Sequence, residues 1–207
     1  MAFLLSRYMD KSFYKVLDFE NALAEYFGSR YCVAVDCCTH AVELCMRQQQ
    51  VQQTSCPTHT YLSIPMMLKK VGISWNFVLD QWDDLYEFGN TGIYDAATFW
   101  KPNGYIPGTM MCLSFQFKKT LSLGRGGAVL LDDYEAAVDI RRMAYDYRRM
   151  DMPWKDQVSL INRMGYHYYM TPEIAQIGIR KLPTVKQTTK WTWKDYPDLS
   201  KAPLFNE

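Results

Sequence analysis

Apolar residues along this chain fall into two patterns, a helical spacing of three to four and short unbroken runs. LDFENALAEYFG (17–28) sets Leu17, Ala22, Leu23 and Phe27 near one helical face and ends on Gly28, a natural stop. THAVELCMRQQQ (39–50) predicts a helix with Thr39 as N-cap and Val42, Cys45 and Met46 at core spacing. YLSIPMMLKKVG (61–72) predicts another, with Pro65 in its first turn. YEAAVDIRRMAYDYRRM (134–150) carries Ala137, Ile140, Ala144 and Tyr147 on one stripe, and TPEIAQIGIRKL (171–182) opens with Thr171 at N-cap and Pro172 at N1. The runs YCVAV (31–35), WNFVLD (75–80), GIYDAA (92–97), MMCLSF (110–115) and GAVLLDD (127–133) predict strands. Strands alternating with helices predict a layered α/β fold with a mainly parallel sheet.

From Pro183 onward the chain is polar, aromatic and broken by prolines, which predicts an extended tail over 183–207 behind a domain over 1–182. The 207 residues suffice for a substantial core, and 48% apolar with 22% charged residues is the balance of a globular protein. A formal net charge of +1 provides no field for gripping a phosphate backbone, so nucleic acid is not expected as a partner. The six cysteines (32, 37, 38, 45, 56 and 112) form no zinc-type CxxC pair and read as reduced, mostly buried thiols of a cytoplasmic protein. The N-terminal MAFLLSRYMDKSF is too short for a membrane span and lacks a signal-peptide layout, so no membrane role is expected.

In parallel sheets ligands gather beyond the carboxyl ends of strands. That rule selects Asp36 to Thr39, Thr58 to Tyr61, Asp95 to Thr98 and Ser114 to Lys119. Together these clusters offer an amine that can attack an aldehyde, a carboxylate for a protonated ring nitrogen, and a helix start and hydroxyl for phosphate. They also offer an aromatic ring for stacking. A molecule with an aldehyde, a pyridine nitrogen and a phosphate is pyridoxal 5′-phosphate (PLP).

Five segments in order, FENALAEYFGSRYCVAVDCCTHAVEL, PTHTYLSIPMMLKKVG, YDAATFW, CLSFQFKKTLSLGRGGAVLL and GYHYYMTPEIAQIGI, resemble the DegT/DnrJ/EryC1/StrS sugar aminotransferases over roughly residues 19 to 182. The resemblance implies a shortened, three-layer PLP-transferase-like large domain. The family pattern Ser-Phe-x-x-x-Lys-x-Leu, set on SFQFKKTL, implies that Lys119 is the Schiff-base lysine and leaves Lys118 as a surface or phosphate-side charge. Asp95 matches the aspartate that keeps the pyridinium protonated, and Thr98 stands where the family places Gln or His near the ring hydroxyl. CCTHAV matches the phosphate turn, implying phosphate contacts from Cys38, Thr39, the backbone N–H of His40, and Ser114. Tyr61 takes the stacking position, with a core tyrosine as the other reading. His167 replaces an asparagine that reaches the phosphate of a neighbouring subunit, implying a homodimer with a shared site; a purely structural histidine is the alternative. No second ligand is expected near His40, so no metal site is assigned.

This sequence departs from the family in several places. Cys38 replaces a glycine, Arg125 a glutamate and Tyr169 an arginine. A helix and a central strand are absent between Asp80 and Tyr94, and after Leu182 only a tail remains where a small domain is expected. WNFVLD or its neighbour is expected to fill the vacant strand position, because an internal gap would leave backbone groups unpaired. Glycines 124, 126 and 127 are expected to turn the chain at positive φ. The arginines at 141, 142, 148 and 149 read as a solvated helix end, or as a grip on a substrate carboxylate. The implied activity is amino transfer, with glutamate as donor, to a keto group of a nucleotide-linked sugar. The alternative is a scaffold that kept the fold and lost the chemistry.

Overall fold

The computed structural model describes residues 11–186 and 190–205. The apolar part of the N-terminal run lies outside these residues. Among the described residues five α-helices, α1 (Tyr14–Phe27), α2 (Cys38–Gln48), α3 (Ser63–Val71), α4 (Tyr134–Ala144) and α5 (Pro172–Lys181), pack on two sheets. The larger sheet holds β1 (Tyr31–Val35), β7 (Gly127–Leu131), β6 (Met110–Ser114), β5 (Ile93–Asp95) and β4 (Tyr86–Glu87), in that spatial order. The smaller pairs β2 (Gln53–Pro57) with β3 (Ser74–Val78) in parallel.

The α/β expectation holds, but the sheet is mixed rather than mainly parallel. β1, β5 and β6 share one direction while β7 and β4 run against it, so only β5–β6 is a parallel pairing in the larger sheet. The cause is the turn between Ser114 and Gly127, which returns β7 beside β6 instead of crossing over a helix. Ser74–Val78 does not fill the vacant place beside β5. Two residues of the neighbouring segment, Tyr86 and Glu87, do so antiparallel, and β2–β3 stand apart as their own sheet.

Side-chain alternation along the strands divides the core into two layers. Cys32, Ala34, Met111, Leu113, Ala128 and Leu130 face the helices α1 and α5, where Phe19, Leu23 and Phe27 are fully buried. Val33, Val35, Cys112, Val129 and Leu131 face α2, α3 and α4. Each fully buried Phe contributes about 1.5–3 kcal/mol. Gly178 of α5 lets the two helices approach closely, because a Cβ there would lie 2.5 Å from the ring of Phe19. Gly28 ends α1 in the left-handed region at φ 82°, as expected.

Helix α4 stops at Ala144, six residues short of the expected end. Asp146 and Tyr147 take φ of 56° and 57°, and the freed backbone of Met143, Ala144 and Asp146 pairs with Tyr166 and Tyr168 instead. Arg141 is not part of a solvated face. It makes a bidentate ion pair with Glu20 (2.9 and 2.6 Å), and Glu20 also accepts the backbone N–H of Ala34 at 2.8 Å. The two side chains are 14% and 4% exposed, so this charge pair lies inside the fold.

The stretch after Leu182 is not simply extended. Residues 190–205 form three short 3-10 turns and fold back along the domain. Leu199 N–H donates to Thr58 O, Trp193 N–H to Trp82 O, and Asp84 N–H to Trp191 O, at 2.8, 3.1 and 2.9 Å. Among the described residues no helix is long and apolar enough to cross a membrane.

Candidate active site

The carboxyl ends of β1, β2, β5 and β6 open on one cavity of about 330 Å³. Seven of the residues expected at the site line it: Cys38, Thr39, Tyr61, Asp95, Thr98, Ser114 and Lys119. His40 and His167 do not, by their side chains.

Asp95 is the last residue of β5 and is 6% exposed. Its Oδ2 accepts the phenol of Tyr86 at 2.9 Å, and its Oδ1 accepts the N–H of Ala97 at 2.9 Å and a long contact from Cys38 Sγ at 3.9 Å. Burial pushes its pKa above the usual carboxylate range, opposed by the Ala97 N–H, the charge of Lys119 and the Tyr86 and Cys38 donors. No cation lies within ion-pair distance of this carboxylate among the described residues. It is therefore a buried acceptor that a protonated ring nitrogen would satisfy.

Of the two adjacent lysines, Lys119 lines the cavity half-buried and Lys118 is exposed. Burial lowers the pKa of Lys119, Asp95 and Cys38 oppose that, and Lys118 lowers it again. More of the amine is thus in its nucleophilic, neutral form than for a free lysine. The Nζ atom sits 5.7 Å over the ring of Trp191.

Helix α2 begins at Cys38, not Thr39, with Cys37 extended (φ −164°, ψ 161°) at the cap position. Thr39 lies inside the first turn, where its hydroxyl bonds that of Ser63 at 2.6 Å. The earlier start follows from the pairing of Cys37 with Gly126, which draws the turn against β7. Gly127 makes this possible, since a Cβ there would lie 2.5 Å from both Cys37 C and Cys38 N. Gly124 and Gly126 have the expected positive φ, 85° and 141°, whereas Gly127, expected to share it, does not. An α-helix leaves its first-turn N–H groups, here those of Cys38, Thr39 and His40, without intrahelical partners. Cys38 fits without crowding because its thiol turns inward, onto Cys112 O at 3.3 Å.

The His40 ring stacks on Tyr168 (3.6 Å, 10°) and bonds Asp36 at 2.6 Å, while Arg125 bonds the other Asp36 oxygen at 2.7 Å. Although burial works against it, hydrogen bonds with Asp36 and Cys37 hold its pKa at about 9. The expectation that nothing near His40 could share a metal is overturned in geometry, since Asp36, Cys37 and His40 bring ligand atoms within 4.8 Å of one another. Arg125 and His40 already engage the Asp36 carboxylate. His167 is exposed and pairs with Asp146 at 3.2 Å. Thr98 commits its hydroxyl proton to Asp84 O.

Lining residues that escaped the sequence reading include three aromatics, Trp82, Tyr86 and Tyr196. The Tyr86 phenol bridges Asp95 and the Thr60 hydroxyl. No motif marks these positions; the only signal was the high aromatic content.

The model of the DegT/DnrJ/EryC1/StrS aminotransferase family matches residues 4–81 and 101–195. The chain belongs to this family. The unmatched interval contains Asp95, so its position rests on the geometry above. Among solved structures, the chain is similar to AtS13 from Actinomadura melliaura, with 19% identity, TM-score 0.70, and coverage of 82% of this chain and 60% of that one. It is similar to 3-amino-5-hydroxybenzoic acid synthase at 19% identity and TM-score 0.69, covering 83% and 56%. It also resembles Spr1654 from Streptococcus pneumoniae in its PLP form, at 16% identity and TM-score 0.68, covering 88% and 62%. The chain thus spans roughly three-fifths of the length of these structures. No curated protein sequence matches it.

Proposed function

We propose that this chain is a PLP-dependent aminotransferase with Lys119 and Asp95 as its catalytic pair. The observation that carries this reading is the joint presence, in one cavity, of a half-buried amine with lowered pKa and a buried carboxylate that has no ion-pair partner among the described residues. The donor set fits PLP: Lys119 would hold its aldehyde carbon, Asp95 its ring nitrogen, and Tyr61 its ring face. The first turn of α2, at Cys38, Thr39 and His40, together with Ser114 would take its phosphate, and Thr98 would lie near its ring hydroxyl. When bound, PLP supplies an electron sink for the pair released at the donor's Cα. Lys119 Nζ, once freed, is the base that carries the proton from that carbon. Asp95 keeps the ring nitrogen protonated through a charge-assisted hydrogen bond.

The amino donor in this reading is glutamate and the acceptor is a keto group on a nucleotide-linked sugar, supported by the family. A homodimer with a shared site belongs to this reading, because His167, whose imidazole lies outside its own chain's cavity, stands where the family places a residue that reaches the phosphate of a neighbouring subunit. In domain terms, this reading assigns 1–182 to a shortened large domain and 183–207 to a tail, of which 190–205 fold back along the domain. Residence in the cytoplasm is supported by the six free cysteines.

A non-catalytic scaffold is the second reading, favoured by the separation of β2–β3 from the main sheet. Titrating the PLP-loaded protein with glutamate separates the two. An aminotransferase loses its visible PLP band and releases 2-oxoglutarate, whereas a scaffold keeps the band unchanged.

A further inference from the structure

The segment 190–199 does more than cover the domain's surface. It is fastened to the loops that build the cavity: Leu199 N–H to Thr58 O, His59 Nδ1 to Tyr196 O at 2.8 Å, Trp193 N–H to Trp82 O, and Asp84 N–H to Trp191 O. Isolated pairings of Asp83 with Thr192 and of His59 with Asp198 run alongside. A reciprocal capping box between Thr192 and Asp195 fixes the turn between these anchors. Tyr196 lies between the Trp193 and Leu199 anchors, so its direction is set by the backbone on both sides. Its ring is wedged against Trp82 (5.4 Å) and Trp191 (6.2 Å), and it lines the same cavity as Lys119, Asp95, Cys38 and Tyr61.

We infer that Tyr196 is a ligand-contacting residue of this site, and that segment 190–199 forms a wall of the PLP cavity built by this chain itself. This rests on the reading of the cavity as a PLP site. A planar, anionic pyridine aldehyde is the ligand class such a wall suits, since a rigid phenol offers apolar area and one O–H at little entropic cost. The phenol stays protonated well beyond neutral pH, because burial and then the Asp95 charge push its pKa up. It can therefore donate a hydrogen bond but adds no negative charge beside a phosphate. Wall and anchors are consistent with each other, since every anchor partner lies on a loop that also places a lining residue, Thr60, Tyr61, Trp82 or Asp84.

The test is hydrogen exchange of wild-type protein with and without PLP, read together with PLP titrations of Y196A and Y196F. Direct contact predicts slower exchange over 191–199 when PLP is added. It also predicts at least tenfold weaker PLP binding in Y196A, with Y196F, which keeps the ring, within about threefold of wild type. Exchange over 191–199 that is indifferent to bound PLP, or a Y196A protein that binds PLP as wild type does, overturns the inference while leaving the PLP reading standing. Failure of wild-type protein to bind PLP at all overturns both.

Discussion

Tyr86 donates its phenol proton to Asp95 Oδ2 at 2.9 Å, and both side chains are almost wholly buried. The donor is supplied by β4, the two-residue strand that pairs antiparallel beside β5. Sheet and site are therefore coupled: the residue that pairs beside β5 also holds the carboxylate. Removing this donor in Y86F should raise the Asp95 pKa further, since the bond lowers it. Stability should fall by about 1–3 kcal/mol, because a buried acceptor and the Thr60 hydroxyl lose their partner. PLP should bind several-fold more weakly, with the largest loss at acid pH where Asp95 protonates. Urea denaturation and PLP titrations between pH 5 and 8 check both effects.

The two lysines predict a pH dependence with a definite sign. Lys118 depresses the pKa of Lys119, and Asp95 elevates it. Covalent attachment of PLP needs the neutral amine, so the pH midpoint of attachment should move up in K118A and down in D95N. Absorbance titrations with PLP from pH 6 to 11 measure both midpoints. Shifts in the reverse directions would mean that neither charge acts on Lys119.

Gly127 lets β7 lie against the first turn of α2. In G127A the new methyl would meet backbone atoms of Cys37 and Cys38 at 2.5 Å, and backbone cannot swing aside as a flexible side chain can. Overpacking of this kind costs about 1–3 kcal/mol. Because the strain falls on the turn assigned to phosphate, inorganic phosphate should compete with PLP less effectively in G127A than in wild type. A competition titration reads this directly.

The Glu20–Arg141 pair joins α1 to α4 across the end of β1, with Ala34 N–H as a third member. Breaking it from one side in R141A leaves an uncompensated buried carboxylate and should cost about 3–5 kcal/mol. Replacing both partners with apolar residues of similar size should cost much less. A double-mutant cycle by thermal or urea unfolding distinguishes this structural role from a grip on substrate, since the substrate role predicts little change in stability.

Much of this architecture was legible because it rests on local signals. Gly28 ended α1, Pro172 opened α5, and YCVAV was bounded correctly at both ends. The polar strand Gln53–Pro57 was missed because QTSCP has neither apolar alternation nor a continuous apolar run; only its parallel partner β3 makes it a strand. The end of α4 was overestimated because the stripe through Tyr147 continues in sequence while the backbone turns left-handed at Asp146. At the site, residues inside family motifs, such as Lys119 and Ser114, could be placed by their spacing. Tyr86 and Tyr196 could not, since their proximity to the other site residues comes from a two-residue edge strand and a folded-back segment, both products of tertiary pairing.

Borohydride reduction of the PLP-loaded protein, followed by peptide mass mapping, addresses the central assignment most directly. The account predicts one reduced pyridoxyl group per chain, carried on Lys119 and absent from Lys118, with no adduct in K119A although that variant remains folded. A label found on Lys118, spread over surface lysines, or persisting in K119A would contradict it.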